Sequence, residues 1–330
     1  MKERDYVIDT LKGFGIILVV YGHIFSYIIH PVFDYIYSFH MPLFFMATGM
    51  PFFGKSLPAF RTFTAKKAKS VLVPYFVFFL IAVFIGEMYL LLFNRHLTEP
   101  RLFWLKAFLL NDFGMRLMDK SGICVSPLWF LHTLFFSLII FRLARKLKRV
   151  AVYVFLAILL ALVGLLHRVY FDTACSPFNV KAIPTSVFYI FAGYLYYKYT
   201  RNFTDKRRTL IAAFSILIPI AYQYFFGKIG SYRFMITPLY IPLSILSVIG
   251  WYELFALIKR NAALEYLGRT SLFIFALHWP LFPFIAKTAT HFGANIHTAA
   301  YSISATIINI ILCCLCFEAY ERIKFKLVGR

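Results

Sequence analysis

Acidic side chains are scarce in this chain: 14 Asp and Glu among 330 residues, against 35 Lys and Arg. Charge of either sign makes up 15% of it, where a soluble domain carries about 25%. So few charged side chains cannot cover a water-facing surface of this size. Five cysteines are too few for a disulfide-dense secreted scaffold, and the composition excludes disordered and collagen-like chains as well. Apolar residues fill the gap. They make up 61% of the chain, with 40 Phe, 22 Tyr and four Trp, against an ordinary apolar share of about 45–50%. The expected fold is all-α: a polytopic membrane helical bundle, with the lipid bilayer as its first partner.

A spanning helix needs about 20 mostly apolar residues. Ten such segments can be drawn, at roughly 8–29, 34–53, 71–93, 127–141, 150–167, 182–199, 209–226, 235–258, 267–286 and 299–320. The fourth is short and opens on Pro127. An even count puts both termini on one side. With the N-terminus inside, 23 basic residues fall in inner segments and ten in outer ones, the bias expected when both termini are cytoplasmic. The remaining two, Lys12 and Arg269, lie near inner helix ends. In a soluble protein such an excess would suggest nucleic acid, but no basic stretch here belongs to an independent domain. Cytoplasmic loops and anionic lipid account for it, and a multi-pass protein of the inner (plasma) membrane is expected.

The start, Met1-Lys-Glu-Arg-Asp5 before a long apolar run, resembles a signal peptide. No small-residue cleavage site follows, so a retained first helix is expected. The longest outer loop, 94–126, contains an amphipathic stretch at 101–110 that is too short to span and suited to the interface. Neither an internal repeat nor a soluble appendage is evident, and a single membrane domain over 1–330 is expected. Cys313, Cys314 and Cys316 fall in the last helix, where cysteine acts as a small apolar residue. Cys124 and Cys175 fall in outer loops, where an oxidising compartment could join them.

Gly49-Met-Pro-Phe-Phe-Gly54-Lys55-Ser56 fits the Walker A pattern letter for letter. That pattern cradles phosphate only between a buried strand and a helix. Here it leaves an apolar helix, so nucleotide hydrolysis is not expected. Lys12 and His23 are more informative, because ionisable groups inside membrane segments are costly and tend to carry function. Eleven residues apart at 100° each, they share one helix face, separated by about 16 Å along the axis. Asp9, three residues before Lys12, shares that face and is its expected ion-pair partner. His40, His132 and His278 are also membrane-embedded, which suggests a polar cavity opening outward. No histidine pair has metal-ligand spacing, and no metal is expected. Glu87, Glu253 and Glu318 are read as packing or capping partners.

The run Asp9-Thr-Leu-Lys12-Gly-Phe-Gly-Ile-Ile-Leu-Val-Val-Tyr-Gly-His23 resembles the opening of the membrane acyltransferase-3 family, a basic residue, ten spacers and a histidine. Phe39-His40-Met-Pro-Leu-Phe-Phe-Met-Ala-Thr-Gly49 is similar to that family's second helix, especially in its fucose 4-O-acetylase-like branch. Leu128-Trp-Phe-Leu-His132 and Leu267-Gly-Arg-Thr-Ser-Leu-Phe-Ile-Phe-Ala-Leu-His278 look like its later segments. The resemblance implies a ten-helix core and transfer of an acyl group, acetyl in most such proteins. The implied donor is cytoplasmic acyl-CoA (acetyl-CoA), and the implied acceptor a sugar hydroxyl of an envelope or lipid-linked glycan. His23 is then the expected base or acyl carrier. Lys12 and Asp9 are expected to act with His23 in catalysis, Lys12 meeting the CoA phosphates or arm or stabilising developing charge, and Arg269 is expected to bind the CoA donor. His40, His132, His278 and Trp129 are expected on the acceptor. A proton-coupled transporter or glycan flippase would use embedded His, Lys and Glu equally well. Against it, no two halves of the chain look alike and no broken helices sit in matching positions. A membrane scaffold explains the topology but not Lys12 and His23 on one face.

Overall fold

A computed structural model describes residues 5–24, 31–93, 104, 108, 128–147, 159, 162, 177–230, 239–258 and 260–328. Among them the chain is helical, without a strand. The α-helices are α1 Tyr6–Ile24, α2 Pro31–Gly49, α3 Phe60–Lys67, α4 Val73–Leu92, α5 Trp129–Ala144, α6 Ile183–Thr200, α7 Asp205–Phe226, α8 Tyr240–Leu257, α9 Ala262–His291 and α10 Ala299–Val328. A π turn, Ala68–Leu72, joins α3 to α4 as one continuous rod. Pro74, which has no N–H to donate, follows that wider turn at the start of α4, where a helix tolerates it.

Six described helical stretches are long and apolar enough to cross a membrane: α1, the α3–α4 rod, α7, α8, α9 and α10. α2, α5 and α6 fall short in length or hydropathy, and these three pack on one another, α2 against α6 and α6 against α5. Walled off by neighbours, they can carry Ser38, His40, Ser137, Thr185 and Ser186 as buried polar groups that lipid would not accept. The outward faces show the opposite chemistry. Phe76, Leu80 and Phe84 of α4, Phe214 and Leu217 of α7, and Ile307, Ile311 and Leu315 of α10 are exposed at helical spacing. Such stripes belong against hydrocarbon, in a multi-pass membrane protein.

Several boundaries differ from those drawn on hydropathy. α1 is helical through Ile24, the last described residue before 25–30, so the drawn end at 29 lies outside the described residues. α5 opens at Trp129, after Pro127, and runs on to Ala144. α9 starts at Ala262, because Asn261 caps it by accepting from the Leu264 N–H at 3.0 Å, so the helix includes the polar turn with Glu265 and Arg269. The predicted segment at 150–167 lies outside the described residues, apart from the helical, exposed Leu159 and Leu162.

Close helix contacts are made by glycine. At the α1–α9 crossing, a Cβ on Gly13 would strike the Leu264 carbonyl, and one on Gly268 the Asp9 carbonyl. The α2–α6 crossing repeats the device: a Cβ on Gly49 would meet the Ile190 carbonyl and one on Gly193 the Met46 carbonyl. Without a hydrophobic force between helices in lipid, such backbone approach is what holds them together.

Side-chain contacts gather the basic helix ends at one end of the molecule. Tyr197 Oη of α6 donates to Asp5 Oδ2 at 2.8 Å, just before α1. Arg145, after α5, donates from Nη1 to the Phe52 carbonyl at 3.0 Å and lies 4.7 Å over the Tyr194 ring. Arg208 near the start of α7 pairs with Glu253 of α8 at 2.6 Å. Arg260, before α9, lies 5.4 Å over Tyr6. At the far end Lys228 meets Asp34 at 3.3 Å.

Candidate active site

The site grows from the far halves of α1 and α9, which leave the basic end side by side. His23 is the seventeenth residue after Tyr6, and His278 the sixteenth after Ala262, so both stand about 25 Å along their helices. At that matched depth His23 Nδ1 lies 2.8 Å from His278 Nε2. The two rings are 3° from parallel and their centroids are 5.1 Å apart. That is as far apart as the nitrogen separation allows, so the rings lie edge to edge in one plane, not face to face.

A wall of aromatic and polar groups completes the cluster. Trp279 stands perpendicular to the His23 ring, with centroids 4.7 Å apart. Tyr37 of α2 contacts both His23, at 6.5 Å, and His40, at 4.8 Å. Gly22 lets that ring lie against α1, since a Cβ there would come within 2.8 Å of it. His40 Nδ1–H donates to the Ile36 carbonyl at 2.9 Å, and His278 Nδ1–H to the Ile274 carbonyl at 3.1 Å. Both of these rings are buried, whereas His23 is partly exposed.

α10 fixes the cluster from behind. Asn309, fully buried, donates from Nδ2 to the backbone carbonyl of His278 at 2.9 Å. Its own Oδ1 accepts from Cys313 Sγ at 3.5 Å. Pro280 and Pro283 interrupt α9 beside His278 and cannot donate to the carbonyls of Ala276 and Trp279. The carbonyl that Asn309 holds lies between the two that lose their helical donors, so the bond ties this loosened stretch of α9 to α10.

The remaining expected residues separate into two places. Asp9 is buried and Lys12 half-buried at the α1–α9 crossing, next to Gly13, and Arg269 is exposed beside Gly268. These three lie toward the basic end, away from the histidines. His132 and Trp129 are buried in α5. His132 sits edge-on against Tyr75 of α4 at 5.3 Å, and Tyr75 Oη donates to the Phe108 carbonyl at 2.9 Å. The embedded acids are all hydrogen-bonded: Glu87 accepts from Trp104 Nε1 at 2.6 Å, Glu253 from Tyr196 Oη at 2.5 Å, and Glu318 from Tyr266 Oη at 2.7 Å. In the Walker-like run, Gly49 is spent on the α2–α6 crossing, and Met50–Phe52 is a short 3-10 turn. Lys55 and Ser56 point to the exterior, so no phosphate cradle forms. Cys124 and Cys175 lie outside the described residues, as does most of the 94–126 loop.

Sequence reasoning did not single out Asn309, Tyr37 or Trp279. Asn309 had a signal of its own, a lone amide within an apolar helix. Tyr37 and Trp279 had none, being two aromatics among the many in the chain.

Chemically, the cluster offers one imidazole with partial access and a second imidazole bonded to its inner edge. Such a group can accept a proton from a hydroxyl or receive an acyl group.

A family model described as an acyltransferase domain matches residues 5–318. A curated relative, nodulation protein NolL of Mesorhizobium japonicum, is 26% identical over 163 residues, which is 46% of this chain and 39% of that protein. The chain thus aligns with about two-fifths of the relative's length. No solved structure matches it.

Proposed function

This chain belongs to the acyltransferase-3 family, and on that premise we propose that it is an integral-membrane O-acyltransferase. In this reading it moves an acyl group, acetyl, from acetyl-CoA at the cytoplasmic face to a sugar hydroxyl of a cell-envelope or lipid-linked glycan. The membrane is the plasma membrane, with both termini and the basic end inside. The single observation that carries the reading is His23: partly exposed, hydrogen-bonded to a second histidine at 2.8 Å, and far from the basic end where CoA phosphates would gather.

The reaction needs little more. The sugar oxygen attacks the thioester carbonyl while His23 takes its proton. The carbon–sulfur bond then breaks, the ester is complete, and the CoA thiolate leaves with the proton returned from His23. Lys12 and Arg269 flank the path from the basic end and meet the phosphates or arm of CoA. Tyr37 and Trp279 offer the acceptor sugar an aromatic face, beside His40. His132 and Trp129 would act on the acceptor from α5.

The test is direct. Purified protein in sealed liposomes, given [14C-acetyl]-CoA and isolated envelope glycan, should place label in alkali-labile ester on the glycan. It should release CoA in equal amount. Glycan that crosses the bilayer unlabelled, with no CoA released, would replace this reading by transport.

A further inference from the structure

We propose that His278 is a positioning residue that fixes the tautomer of His23, so that Nε2 is the nitrogen which takes the hydroxyl proton. The inference rests on the reading of His23 as the base and adds to it a role and a partner.

Donors and acceptors fix the tautomer. The Ile274 carbonyl can only accept, so the His278 Nδ1 that lies 3.1 Å away carries a hydrogen. A neutral imidazole has one hydrogen, and His278 Nε2 is therefore a lone pair. His23 Nδ1, 2.8 Å from that lone pair, must then be the donor. The coplanar rings, 3° from parallel, aim the lone pair along the bond, as a linear hydrogen bond requires. With its hydrogen on Nδ1, neutral His23 carries its own lone pair on Nε2. The alternatives fail. Two protonated nitrogens cannot face each other at this distance, and a bare His278 Nδ1 would oppose the carbonyl oxygen.

The arrangement has the logic of a base oriented by a third group, with a neutral imidazole in place of a carboxylate. In an apolar bundle that choice avoids burying a permanent charge. When His23 takes a proton, its Nδ1–H still points at the His278 lone pair, and that bond strengthens as charge develops. Asn309 supports the relay by gripping the His278 carbonyl at 2.9 Å from α10.

Two measurements test it. The first uses the unmodified protein. In bilayers, 15N-histidine solid-state NMR with His23 assigned by its loss in His23→Ala should show a protonated Nδ1 and a bare Nε2. A His23 protonated at Nε2 instead would overturn the proposal. The second is a substitution pair, each compared at equal folded protein. His278→Leu should lower acetyl transfer by roughly 10²-fold, the worth of an aligned general base, leaving KM for acetyl-CoA unchanged. His278→Gln, whose Oε1 reaches the place of Nε2 and can accept from His23, should recover activity to within about tenfold of wild type, the worth of one neutral hydrogen bond. Full activity in His278→Leu, with His23→Ala inactive, would overturn this assignment alone. Full activity in His23→Ala would remove the base reading beneath it.

Discussion

Lys12 sits one residue from the glycine on which α1 and α9 cross, half-buried and toward the basic end. Placed there, in the proposed reading, it serves the donor and not the acceptor. Lys12→Ala should therefore impair transfer chiefly through KM for acetyl-CoA, with the defect easing as donor is raised. Lys12→Arg should keep substantial activity if charge is what matters. Steady-state kinetics on the two variants checks both. A different role belongs to Glu253, which is fully buried and takes the Arg208 guanidinium at 2.6 Å and the Tyr196 hydroxyl at 2.5 Å. Glu253→Ala leaves Arg208 buried without its counter-charge and should cost about 3–5 kcal/mol. The double change Arg208→Leu with Glu253→Leu should recover most of it, which melting in detergent would read. Half of this site was legible in the chain. His23, His40 and His278 follow as candidates from the rarity of such groups in apolar runs, and Lys12, toward the basic end, from its shared helix face with His23. The pairing of His23 with His278 does not, because 255 residues separate them and no local pattern encodes which helices meet. Asn309 stands out locally as a lone amide in an apolar helix, but its partner, a carbonyl on another helix, is not written in the sequence around it.

At the scale of elements, the bundle turns on glycines used in reciprocal pairs. Gly268→Ala would drive a Cβ into the Asp9 backbone, a collision that no rotamer can relieve. About 2–3 kcal/mol of lost stability is expected, with loss of activity as the His23–His278 register slips. Gly54, by contrast, has φ +67° and open space around it. Gly54→Ala should cost only about 1 kcal/mol of backbone strain. Thermal unfolding of the two variants side by side distinguishes packing from conformation. Hydropathy located most helices but misplaced their ends. Polar first turns such as Ala262–Arg269 lower the apolar average while an Asn261 cap still starts the helix. The interior helices α2 and α6 dilute the signal in the other direction, since neighbours and not lipid cover them.

For the whole molecule, apolar stripes around the sides suit a protein that crosses the bilayer, and the basic residues concentrated at one end lead us to propose that this end faces inside. On a cysteine-free background, Asn295→Cys should react with an impermeant maleimide in intact cells, and Lys55→Cys only after permeabilisation. The reverse pattern would invert the orientation and with it the side from which CoA arrives. Orientation, however, serves one chemical claim, that an imidazole at the far end of α1 carries out the transfer. The measurement closest to it is ester-bound acetyl on envelope glycan in cells holding His23→Ala at wild-type protein level. The account predicts a loss of roughly 10²-fold or more, while a normally expressed variant with undiminished acylation would contradict it.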